Sequence, residues 1–338
     1  MDSQSVKRIV ALALGVIGSL VFGALALRNV DFRVFQDGIT AMEYVWLLPA
    51  LAALIGTFYL RALRWQLLFA PETRPPFSAA FRALLIGLFF NQILPLRAGE
   101  AARVVALNQE AGTSRAEALG TAVIERVNDV LVLLVILFVT VPFLPPLTWI
   151  EGAVIFAVIF TVLVAVGAVC LFVFGDRLLR LAFTPFALLP WISRTRTDTA
   201  ARNLTGGLSA LRRPRLALAA FGVTMLSWLV AGLSYWCVLR GFEFGLGLDA
   251  ALLLLVTTNL ALVIPSLPAG LGVFEAATIF ILDGYDVDES SALALAVVLH
   301  AVNFFPYIAA GLLALYTHAA RQRRRARLPT AEGQIPPA

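Results

Sequence analysis

Charge is scarce in this chain. Asp, Glu, Lys and Arg supply 14% of its 338 residues, where a soluble domain carries about a quarter. With 60% hydrophobic residues, that shortage excludes an ordinary soluble fold and makes the chain an integral membrane protein. The apolar character recurs in pulses along the whole length, which leaves no stretch for a separate soluble catalytic domain. Cysteine is nearly missing too. Cys170 and Cys237 both sit in apolar runs, with no disulfide framework and no metal-ligand spacing. No nucleotide-binding motif occurs, so ATP is not expected to act through this chain directly, and neither metal nor cofactor is expected. Basic residues outnumber acidic ones, 26 to 21, but they are almost all Arg scattered over loops and membrane ends. Membrane topology explains them better than nucleic acid does.

What is present is a series of runs near the ~20 apolar residues that a spanning helix needs. They cover 9–27, 44–69, 118–141, 153–174, 216–239 and 292–316. The first follows Lys7-Arg8 and exceeds the roughly 7–15-residue core of a signal peptide, so it reads as a span. Between the spans lie two interrupted regions, 77–108 and 249–282. One holds Asn91-Gln-Ile-Leu-Pro-Leu-Arg-Ala-Gly-Glu100, the other Pro265-Ser-Leu-Pro-Ala-Gly-Leu-Gly-Val-Phe-Glu275. Both contain Leu-x-Ala-Gly, ending at Gly99 and again 171 positions later at Gly270. The arm after each break is too short or too polar to cross about 30 Å of hydrocarbon at 1.5 Å per residue. Two re-entrant helical hairpins are therefore expected.

Arg-rich segments fix an orientation. The N-terminus, the 61–74 region, Arg115, the 177–215 connection and the 321–327 tail fall on one side of a six-span scheme, which the positive-inside rule makes cytoplasmic. The opposite loops include 283–289, which carries Asp283, Asp286, Asp288 and Glu289 without a cation. The first hairpin then enters from the cytoplasm and the second from outside, the pattern of an inverted-topology repeat. The expected organisation is one polytopic all-α membrane domain over 1–318, with repeats near 44–141 and 216–316. A cytoplasmic connection at 175–215 joins them, and a disordered basic tail fills 319–338. In register, Arg126 aligns with His300 and Asp129 with Asn303.

A charge at mid-bilayer costs roughly 2.5–3.5 kcal/mol even on the milder scale. Arg97, Glu100, Arg103, Glu125, Arg126, Asp129 and Glu275 all fall in or beside membrane segments, so most must face one another or a wet cavity. Two readings stay open for the six around the first hairpin. They form a structural lattice of ion pairs, or they form a headgroup site in which Arg97, Arg103 and Arg126 engage a phosphate. Helix N-termini directed at the breaks favour an anion as guest. Asn91 and Gln92 add neutral donors to that site. Glu275 stands nearly alone in sequence and, with His300, Asn259 and Asn303, is read as a gate or proton-coupling group. The plainer reading of His300 is a simply hydrogen-bonded side chain, and amides also serve as interhelical glue.

These residues carry a family resemblance. Arg61-Ala-Leu-Arg64-Trp65, the run from Asn91 through Pro95-Leu-Arg-Ala-Gly-Glu100 to Arg103, Glu125-Arg-Val-Asn-Asp129, and Pro265 to Glu275 together resemble the lysylphosphatidylglycerol synthase transmembrane-region family. The resemblance implies a stand-alone, flippase-like protein of a bacterial or archaeal cytoplasmic membrane that translocates a lipid. Its substrate would be a phospholipid, an aminoacyl-phospholipid, a polyprenyl-phosphate or a hopanoid. The aminoacyl-transferring domain of the multiple peptide resistance factor is not expected here. Two rivals remain: an intramembrane lipid transferase, and a non-transporting partner of a lipid or glycan synthesis enzyme.

Overall fold

The computed structural model describes residues 21–144 (except 25, 29 and 95–97), 152, 155, 159, 163, 166, 213–262 and 268–327. Among them the regular elements are helices and no strand occurs. The solvent dictates this, because in hydrocarbon every backbone N–H and C=O needs a partner within the chain and a helix supplies one locally. In chain order the helices are α1 (Phe32–Ala41), α2 (Leu47–Leu67), α3 (Phe77–Ile93), α4 (Gly99–Ala111), α5 (Arg115–Thr140), α6 (Pro214–Gly241), α7 (Leu248–Ala261), α8 (Val273–Asp283) and α9 (Glu289–Arg327).

Three stretches, Tyr44–Leu67, Pro214–Gly241 and Glu289–Arg323, are long and apolar enough to cross a membrane. They correspond to the runs 44–69, 216–239 and 292–316. Run 118–141 is α5, whose 26 residues reach roughly 39 Å, although Glu125, Arg126 and Asp129 interrupt its apolar character. Most of run 9–27, run 153–174 apart from scattered helical positions, the connection through residue 212 and the residues from 328 onward lie outside the described residues.

Two segments depart from expectation. Helix α9 runs on to Arg327, into the stretch expected to be a disordered tail. Ala and Arg are good helix formers, and a helix C-terminus favours cations. The loop after residue 28 also contains a helix, α1, capped by Asp31, whose Oδ1 accepts from Arg33 N–H at 2.8 Å. The Asp31 N–H donates to Ser290 Oγ at 2.9 Å and so ties α1 to the start of α9.

Both interrupted regions are pairs of short helices folded back on each other, α3 on α4 and α7 on α8. Their lengths of 17, 13, 14 and 11 residues give at most about 26 Å, short of a crossing. The turn Pro268–Gly270 of the second pair packs against α3 of the first, so the second break lies against the first hairpin. The shared Leu-x-Ala-Gly does not fold alike in the two places. Ala98 is right-handed at φ −60°, whereas Ala269, Gly270 and Gly272 are left-handed at +62°, +80° and +83°.

The first hairpin closes backbone to backbone. A Cβ on Gly99 would lie 1.9 Å from the Gly87 carbonyl oxygen and 2.6 Å from Asn91 Oδ1. One on Gly87 would lie 2.8 Å from Arg103 Cβ. Ala79, Ala80 and Ala83 continue this small-residue face, which lets helices approach where no hydrophobic force drives them together. Gly99→Ala is expected to cost about 2–3 kcal/mol or more, as overpacking against rigid backbone does. Gly222→Ala, with nothing within 4 Å of the added carbon, should be neutral. Thermal unfolding of both variants in detergent checks the contrast.

Candidate functional site

Helix α5 places Glu125 and Asp129 one turn apart on its inner face, with Arg126 beside them. Helices α2 and α4 supply their partners. Arg64 of α2 spans both carboxylates: its NH2 lies 2.6 Å from Glu125 Oε1, and its NH1 donates a very short bond to Asp129 Oδ1. Arg103 of α4 donates from NH1 to Glu125 Oε2 at 2.9 Å. Its NH2 lies 2.6 Å from Glu100 Oε2 but off the hydrogen-bond axis. Arg126 completes the set, 3.0 Å from Glu100 Oε1, 3.3 Å from Glu125 Oε1 and 3.5 Å from Asp129 Oδ2. Three guanidinia thus face three carboxylates.

Aromatic rings hold this lattice on two sides. The Arg103 guanidinium sits 4.7 Å over the Trp65 ring, and Trp65 Nε1–H donates to Thr121 Oγ1 at 3.0 Å. Trp228 of α6 donates from Nε1 to Asp129 Oδ1 at 2.9 Å. The burial is uneven. The side chains of Arg64, Arg103 and Glu125 are 2–3% exposed, whereas Glu100 keeps 26% and Arg126 46%. Arg126 lies eleven residues into α5, roughly 16 Å along its axis. A half-exposed guanidinium at that depth cannot cheaply meet acyl chains, so its open side requires water or a headgroup.

Arg64 belongs to the motif Arg61–Trp65 but not to the site residues expected from sequence. It had been grouped with the cytoplasmic Arg61–Arg74 region, yet α2 continues through Leu67 and buries it. It stands seven residues, about two turns, beyond Thr57 on the face that packing buries, so only the packing reveals it. Arg97 lies outside the described residues. The Oδ1 of Asn91 is buried against Gly99 with no hydrogen bond among the described residues. Gln92 Nε2 donates to the Asn303 carbonyl at 3.0 Å, joining α3 to α9. The side-chain amides of Asn303 and Asn259 donate to carbonyls of their own helices, Leu299 at 2.9 Å and Leu255 at 2.8 Å.

The second hairpin brings Glu275 and His300 together. His300 Nδ1 lies 2.5 Å from Glu275 Oε1, and Gly272 N–H donates to Glu275 Oε2 at 2.7 Å. Phe274 packs on the imidazole at 4.9 Å between ring centres. A third cluster was not foreseen. Arg82 pairs with both oxygens of Glu110, and His318 Nδ1 lies 2.8 Å from Glu110 Oε1, joining α3, α4 and α9. Outside the membrane, hydrogen bonding from Arg213 holds Glu72 below the usual carboxylate range. Among the described residues no group of three His, Cys, Asp or Glu is placed to hold a metal ion.

Broken helices, a buried Arg–carboxylate lattice and the motifs at Arg61–Trp65, Glu100 and Glu125–Asp129 agree with a match of residues 9–311 to the model for the lysylphosphatidylglycerol synthase transmembrane region. The chain belongs to that family. Two relatives are archaeal UPF0104 membrane proteins. The one from Methanocaldococcus jannaschii is 23% identical over 229 residues, 68% of this chain and 94% of the relative. The one from Methanothermobacter thermautotrophicus is 25% identical over 281 residues, 79% of this chain and 82% of the relative. Membership of the lysylphosphatidylglycerol synthase transmembrane-region family and the apolar helices make this a multi-pass membrane protein.

Six ions unpaired in hydrocarbon would cost on the order of 15–20 kcal/mol, more than the whole stability of a typical domain. Their mutual pairing is therefore decisive for this member of the family. Arg64→Gln, which removes the cation that bridges Glu125 and Asp129 and leaves them to Arg103, Arg126 and Trp228, is expected to destabilise by about 3–5 kcal/mol. Adding Glu125→Gln should restore part of that loss, and Arg213→Gln at the exposed Glu72 pair should leave the unfolding midpoint unchanged. Unfolding curves of these variants form the check.

Proposed function

We propose that the protein carries an anionic amphipathic lipid between the two leaflets, receiving its phosphate at the open edge of the Arg–carboxylate lattice. One observation carries this reading: Arg126 is 46% exposed and its partner Glu100 26%, above Glu125 at 2% and Asp129 at 9%. A guanidinium so placed presents a planar, bidentate match to a phosphate, while the neutral lattice beneath keeps the site from being a deep electrostatic trap. A bound lipid can then leave as well as enter. The chemistry admits a phospholipid, an aminoacyl-phospholipid or a polyprenyl-phosphate through its phosphate, and Glu100 offers a contact for a cationic headgroup group. A hopanoid suits the site only when it bears an anion.

The second hairpin reads as the gate. Glu275 and His300 form a carboxylate–imidazole pair that loses its charge attraction when either partner changes protonation, which makes a proton-coupled step available. Glu100 with Arg126 and Glu275 with His300 each join the second arm of a hairpin to the long helix that follows. That equivalence, at offsets of 175 and 174 positions, supports an inverted repeat with oppositely inserted hairpins. The Arg-rich ends support cytoplasmic termini in a bacterial or archaeal cytoplasmic membrane. On this reading the chain moves a lipid without transforming it.

Vesicles carrying the purified protein and headgroup-accessible labelled phosphatidylglycerol provide the test. The wild type is expected to expose inner-leaflet label to an external quencher faster than empty vesicles do. Arg126→Gln should lower that rate by roughly tenfold or more, the effect of losing a charge-assisted hydrogen bond. Glu275→Gln should abolish any response to an imposed pH gradient. A wild-type rate equal to that of empty vesicles for labelled phosphatidylglycerol and for a labelled polyprenyl-phosphate would remove the proposal.

A further inference from the structure

Among the described residues, one cation near this lattice belongs to no ion pair. Arg61 lies three residues before Arg64 on α2, partly buried, and its guanidinium carbon sits 5.3 Å over the ring of Trp228. Trp228 is at the midpoint of the 28-residue α6. Among the described residues no carboxylate pairs with Arg61, although its neighbours Arg64, Arg103 and Arg126 are all matched. Among the described residues, Arg61, Arg64, Arg103 and Arg126 stand against Glu100, Glu125 and Asp129, one positive charge in surplus. A stack on an aromatic face repays only a little of what an uncompensated guanidinium costs at such depth.

The surplus is also connected. The ring beneath Arg61 is the one whose N–H donates to Asp129 Oδ1, and Asp129 Oδ2 is the oxygen that Arg126 approaches at 3.5 Å. Arg61 and Arg126 therefore each stand one group away from the Asp129–Trp228 hydrogen bond. About two turns further along α6 from Trp228, the hydroxyl of Tyr235 lies 3.2 Å from Thr258 Oγ1. Phe58, one turn before Arg61 on α2, meets Tyr307 of α9 with ring centres 5.1 Å apart and planes tilted by 38°.

We infer that Arg61 is a second phosphate-binding residue, holding the phosphomonoester or phosphodiester anion on the side of the lattice away from the Arg126 contacts. The inference rests on the anion-site reading of Arg126 but does not require that the lipid be carried across. An anion at Arg61 neutralises the surplus charge, and the Trp228 face fixes the guanidinium plane for two parallel N–H···O contacts. With Arg126 serving Glu100 and Arg61 free of carboxylates, the guest passes from a shared cation to an unshared one.

The test is calorimetric titration of the purified full chain in neutral detergent with dihexanoyl-phosphatidylglycerol, and separately with inorganic phosphate. Arg61→Gln is expected to weaken binding of the short-chain lipid by about tenfold or more while leaving the unfolding midpoint unchanged. Arg61→Lys, which keeps the charge but loses the planar fork, should fall between. Arg240→Gln removes a guanidinium stacked on Trp46 and Trp236 and should change nothing. Inorganic phosphate that binds as tightly as the short-chain lipid would make free phosphate the guest of Arg61 instead of a headgroup. Unchanged affinity in Arg61→Gln, or a loss of stability without a loss of affinity, overturns the inference and makes Arg61 a structural stack. A wild type that binds neither probe overturns it as well. Binding that depends on Arg61 in a protein that moves no lipid keeps the site and removes only the transport reading.

Discussion

The bond between Arg64 and the two carboxylates of α5 constrains everything around it. Glu125 and Asp129 lie one turn apart on a helix that must sit in hydrocarbon, and neither can remain ionised there without a cation at hydrogen-bond distance. Arg64 meets both, which fixes α2 against α5 in depth and rotation. The remaining oxygen of Glu125 calls for Arg103, and α4 reaches that position only because Gly99 and Gly87 let the hairpin close with its backbones in contact. The broken helix and the charged lattice are thus one device. The break frees a short arm, the glycines let it come close, and the ion pairs hold it there.

The same device leaves one edge open. Arg64, Arg103 and Glu125 are consumed by each other, so they serve to position Arg126 and Glu100 more than to meet a ligand themselves. The second hairpin repeats the plan with weaker chemistry. Its arm carboxylate, Glu275, meets an imidazole in place of a guanidinium, and the left-handed residues of its turn give it a different bend. A permanent cation stands in one half and a titratable one in the other, and the proposed division of binding from gating rests on that difference.

Much of this was legible in the residues. Run length gave the long helices, and Pro and Gly inside apolar stretches gave the two folded-back pairs. The i, i+4 spacing of Glu125 and Asp129 gave the acidic face. The register that aligned Arg126 with His300 also held the pairing of Glu275, but only once Glu100 is seen to meet Arg126 does it say which acid His300 should join. Arg64 escaped because Arg near a membrane end is ordinarily explained by topology, and nothing local distinguishes a buried Arg from one that snorkels. The Arg82–Glu110–His318 cluster escaped for another reason. Its members lie more than 200 positions apart at the extremes, and only the packing of α9 on α3 and α4 brings them together.

The central claim is that the edge of the lattice at Arg126 opens onto water within the depth of the membrane. Cysteine accessibility in native-like vesicles measures this directly. In a background carrying Cys170→Ser and Cys237→Ser, Arg126→Cys is compared with Val139→Cys on the same helix, whose side chain is 64% exposed and apolar in its setting. A charged, membrane-impermeant methanethiosulfonate should modify position 126 and spare position 139, because the thiolate that reacts forms only where water reaches. Equal protection of the two positions would place Arg126 against lipid or sealed protein and contradict the account.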